Sequence, residues 1–76
     1  MSESEYDKAC RALASIYTFA KSEARIAKMQ SDEARKTEDY RAADRAASYA
    51  LAMAKIAART SMIARQSFTV DVEKVQ

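Results

Sequence analysis

The chain has 76 residues, 17 of them alanine, with no glycine, no proline, no histidine and one cysteine, and its formal net charge is +2. That length allows one domain, 1–76, and the absence of histidine removes the commonest general base and metal ligand. Near-neutral charge excludes a polyanion binder acting through bulk charge, and one cysteine excludes an intrachain disulfide.

No apolar run approaches the ~18 residues of a membrane span. The acidic start, Met1 to Glu5, lacks the basic leader of a secretory signal. A soluble, cytoplasmic protein is expected.

The first helix is expected from about residue 3, capped by Ser2 or Ser4, with Glu3, Glu5 and Asp7 at its positive end. Two adjacent seams follow: Tyr6, Cys10, Leu13, Tyr17, Ala20, Ala24, Ala27 and Ala9, Ala12, Ile16, Phe19, Glu23, Ile26. Together they make an apolar face wide enough to touch two neighbours.

The polar stretch from Gln30 to Asp39 predicts a turn within 30–38. Two boundaries compete. Helix 1 ends near 29 if Ser31 caps the next helix, or near 35 if Thr37 does. The second option gives helices of near-equal length and sets Tyr6 opposite Phe68.

Helix 2 is expected to run to about Gln66. One of its seams is small: Tyr40, Ala43, Ala47, Ala50, Ala54, Ala57, Ser61, Ala64, Phe68. A second is larger: Ala42, Ala46, Tyr49, Met53, Ile56, Thr60, Ile63. So much apolar circumference exceeds what one neighbour covers. In the tail, 67–76, Phe68, Val70 and Val72 alternate with polar residues, the period of an extended strand, so the tail is expected either frayed or irregularly packed, or paired as a strand with another copy or a partner's sheet edge.

These elements predict an all-α, antiparallel helical hairpin with a short extended tail. A chain this short buries only about 60% of its unfolded surface, and alanine adds little to a core. Self-association into a four-helix or larger bundle is therefore expected, with Ala43, Ala47, Ala50, Ala54, Ala57 and Ala64 as the oligomer seam.

No catalytic, cofactor or metal pattern is present. Cys10 lies on an apolar seam, and without glycine there is no phosphate-cradling loop. The expected function is a non-enzymatic binding protein, with no cofactor and no metal, that occupies the surface of a protein or nucleoprotein partner. Such small regulators and inhibitors are common in phages and mobile elements, where they serve counter-defence or host takeover.

The expected partner surface is Leu51, Lys55, Arg59, Met62 and Phe68, apolar with a basic rim. Two alternatives stand beside it. Arg41, Arg45, Lys55 and Arg59 share one face of helix 2 and could lie along nucleic acid. Some of Tyr6, Tyr17, Tyr40 and Tyr49, with nearby Lys or Arg, could line a cleft that holds a small anionic nucleotide.

Overall fold

A computed structural model describes residues 3–74. Two helices, α1 (Glu5–Lys36) and α2 (Tyr40–Phe68), pack side by side as an antiparallel hairpin measuring 54 × 23 × 16 Å.

Ser4 caps α1, its Oγ accepting the Asp7 N–H at 3.1 Å. Ser2, the other expected cap, lies outside the described residues. The first turn carries Glu5 and Asp7 and the last carries Arg35 and Lys36, so both ends complement the helix dipole.

The turn matches neither expected cap of helix 2. Thr37 closes α1 rather than opening α2, and its Oγ1 donates to the Ala34 carbonyl at 3.0 Å. Glu38 donates to the Arg35 carbonyl at 3.0 Å and Asp39 to the Ala34 carbonyl at 2.8 Å. This pair of bonds is the Schellman stop, which needs its first donor in the left-handed conformation. With no glycine in the chain, Glu38 takes that conformation, at φ 60°. Asp39 then caps α2 by accepting the Ala42 N–H at 3.1 Å.

Ser31 is no cap either. It is buried, and its hydroxyl donates across the hairpin to the Ala43 carbonyl at 2.9 Å. That bond sets the register beside the turn. The helices have 32 and 29 residues. At the open end Tyr6 meets Phe68 with ring centroids 6.0 Å apart, and its hydroxyl donates to the Phe68 carbonyl.

The seam between the helices is built of small residues. Ala20, Ala27, Ala43, Ala57 and Ala64 are each at most 2% exposed. Alanine lets the two backbones approach closely, but each one buries little area, so tight packing leaves a thin core.

One large side chain compensates. Val72 is wholly buried, in a cluster with Ala14, Tyr17, Ala20, Ala57 and Ala64. The tail reaches that place by turning, not as the extended strand that its alternation suggests. Thr69 stops α2 in the left-handed conformation, at φ 55°, and Val70 donates to the Ala64 carbonyl at 3.0 Å. A turn across Asp71 to Lys74 follows, closed by a 3.1 Å bond from the Lys74 N–H to the Asp71 carbonyl. Val72 is thereby laid over α1, and the Tyr17 hydroxyl donates to Glu73 at 2.8 Å.

Candidate functional site

Helical spacing divides α1 into two flanks on either side of its buried alanines. Tyr17, Lys21, Ala24, Arg25 and Lys28 point one way, and Ile16, Phe19, Glu23 and Ile26 point the other. The hairpin therefore has two unlike faces.

The first face holds a groove of about 790 Å³. Its floor is Ala24, Ala54, Ala57, Ala58 and Ser61, and its walls carry Lys21, Arg25, Lys28 and Arg65. Met62 borders it on α2, and Tyr17 and Glu73 close one end. Among the described residues, none of these four cations is in an ion pair. Among the described residues Glu73 is the single acid in the lining, so four cations there face one acid and give the groove a positive potential.

Tyr17 is fixed rather than free. Lys21 Nζ sits 5.9 Å from its ring centroid, a cation–π contact, and its hydroxyl is held by Glu73. The bond to Glu73, burial, and the charges of Glu73 and Asp71 raise its pKa above the ordinary tyrosine value, with Arg65 opposing. The residue is only 7% exposed, so little of its ring is open for stacking a ligand.

The second face is apolar. Ile16, Phe19, Ile26, Tyr49, Ile56 and Ile63 are between 39 and 61% exposed, far from core values. Glu23 is the acid among them, and it accepts the Tyr49 hydroxyl at 2.8 Å. That bond, followed by burial and the Glu23 charge, raises the Tyr49 pKa. Toward the turn the face sinks into a hollow of about 430 Å³, lined by Gln30, Ala34, Ala42, Arg45, Ala46 and Tyr49.

Among the residues singled out from sequence, Leu51 and Met62 are exposed, and Lys55 and Arg59 stand in solvent on α2. Phe68 is half-buried against Tyr6. Arg41 and Arg45 are exposed, and none of Arg41, Arg45, Lys55 and Arg59 lines the basic groove. Ala43, Ala57 and Ala64 are spent on the contact within the hairpin, Ala47 and Ala50 are half-buried, and Ala54 lies on the groove floor.

Counting charge by segment directs attention to α2 and passes over Lys21, Arg25 and Lys28, because residues 1–40 taken together carry seven bases against eight acids. Their four- and three-residue steps place them on one flank, which is the signal that finds them.

Among the described residues no group of three His, Cys, Asp or Glu could hold a metal, and no helix is long and apolar enough to cross a membrane. No family model, curated protein or solved structure matches the chain.

Proposed function

We propose that this is a small non-enzymatic binding protein that acts by occupying the surface of a protein partner. Its contact element is the basic groove. The carrying observation is that Lys21, Arg25, Lys28 and Arg65 surround a floor of alanines and, among the described residues, are in no ion pair.

A floor of alanines between two helices accepts a third element lying along it. From Tyr17 to Lys28 the groove spans about 16 Å at 1.5 Å per residue, or three helical turns. Charge complementarity selects an acidic occupant, and the exposed Met62 at the border of the groove selects an amphipathic one. The partner element is thus an acidic amphipathic helix. A nucleotide ligand is less well served, because the Tyr17 ring is already covered by Lys21 and buried. A role as a regulator or inhibitor, of the type that mobile elements carry, follows from binding without chemistry.

The test is native mass measurement of the protein captured gently from its source cell. It compares the wild type with the triple variant Lys21→Glu, Arg25→Glu, Lys28→Glu. An acidic protein should accompany the wild type and be lost from the variant. Nucleic acid or a nucleotide released from the wild type instead would refute the reading, as would a protein retained equally by both.

A further inference from the structure

We infer that the tail is a hinged gate on the basic groove. Residues 70–74 swing away about Thr69 while the two helices stay packed, and the groove then runs on beneath the place the tail has left. This opening is a property of the chain alone, independent of what the groove binds.

The tail travels as one piece. The Asp71 carboxylate accepts the Glu73 N–H at 3.1 Å, and the Asp71 carbonyl accepts the Lys74 N–H at 3.1 Å. Both bonds lie inside the segment and survive its departure. Among the described residues, two hydrogen bonds tie the segment to the helices, from the Val70 N–H to the Ala64 carbonyl and from the Tyr17 hydroxyl to Glu73, and no ion pair does. Val72 supplies the apolar contact, with Val70 partly buried beside it. So few ties open at lower cost than helices of 32 and 29 residues packed along their length.

The hinge lies where the backbone is strained. Thr69 is β-branched and held at φ 55°, where its Cβ crowds the backbone. Release returns it to an ordinary conformation, so the strain favours opening while the burial of Val72 favours closure. Glu38, at φ 60°, is not β-branched and joins two packed helices, so it has no such release.

Opening changes the groove in length and in charge. Tyr17 and Ala57 belong both to the groove lining and to the cluster around Val72. The floor is therefore continuous with the surface under the tail, and lifting Val72 bares Ala14 and Ala64 as its extension. From Ala57 to Ala64 that adds about 10 Å along α2, roughly two helical turns beyond the three already open. Glu73, the one acid among the described lining residues, leaves with the tail and releases the Tyr17 hydroxyl. The closed groove is short and partly neutralised, whereas the charged lining of the open one is cationic throughout.

The experiment is thiol labelling of Val72→Cys in a Cys10→Ser background with an aromatic disulfide reagent, set against urea unfolding of the same protein. Labelling should run roughly tenfold or more faster than whole-chain unfolding allows, and its rate should rise only weakly with urea, because a local opening exposes little surface. Adding Thr69→Gly should slow labelling about fivefold, since glycine is free to adopt φ 55°. Adding Tyr17→Phe, which keeps the ring and removes the bond to Glu73, should speed it about threefold. Labelling that only keeps pace with whole-chain unfolding, or that ignores either added substitution, overturns the inference.

Val72→Cys trims the one large side chain wholly buried among the described residues, so the wild type supplies a second measurement. Its Val70 amide should exchange hydrogen with solvent roughly tenfold or more faster than the Ala57 amide in the middle of α2. Equal exchange at the two positions overturns the gate.

Discussion

The two faces of the hairpin share the same backbones and the same buried alanines, yet they were built on opposite plans. On the groove face the large apolar groups are brought inward: the tail folds over α1, Val72 is wholly buried, and Tyr17 is pinned by Glu73. The rim carries four cations, with Met62 the large apolar side chain left beside them. On the other face nothing folds over, and Ile16, Phe19, Ile26, Tyr49, Ile56 and Ile63 stay half-exposed. The difference teaches where the chain completes its own core and where it leaves apolar surface for another molecule.

The sharpest way to break that comparison is to put the same charge on both sides. Val72→Asp should lower stability by about 3–4 kcal/mol in urea unfolding, through lost burial and an unpaired buried carboxylate. Ile63→Asp should cost less, about 1–2 kcal/mol, because Ile63 is already 39% exposed in the hairpin. If the two variants lower the urea midpoint equally, the faces are not distinct in kind.

The register that both faces share rests partly on Ser31. Ser31→Ala should cost about 1–2 kcal/mol, because the Ala43 carbonyl then loses its buried cross-helix donor while the size of the side chain barely changes. An unchanged urea midpoint would show that close alanine packing holds the register without it.

Thr69→Gly should raise stability by about 1 kcal/mol, because a β-branched residue at φ 55° gives way to one that is free there. The gain should depend on a docked tail and vanish in the Val72→Asp background.

The smallest effect is alkaline, with one tyrosine reporting on each face. Tyr17 and Tyr49 both titrate above the ordinary value of 10.0, chiefly through their bonds to Glu73 and Glu23. A raised folded pKa contributes stability that is fully present below the unfolded value and is lost as pH rises through the folded one. Stability should therefore fall in the pH range above about 10. Tyr17→Phe should remove the part tied to the tail and Tyr49→Phe the part tied to the apolar face, both read by ultraviolet tyrosine titration.

The sequence by itself determined the two helices and the polar gap between them, and it narrowed the first cap to Ser2 or Ser4 and the turn to two boundaries, one of which sets Tyr6 opposite Phe68. Each follows from local spacing and from the absence of glycine and proline. Only the tertiary structure decided what Ser31 does, because a serine that can cap a helix can equally bridge to a backbone brought beside it. It also decided the course of the tail, since alternating valines serve a strand or a turn laid over a neighbour equally well. The basic groove was hidden for the same reason. Lys21, Arg25 and Lys28 lie on one helix and Arg65 on the other, and they face one space only once the hairpin has closed in register. Side-chain periodicity is a property of one helix, whereas a groove is a property of two.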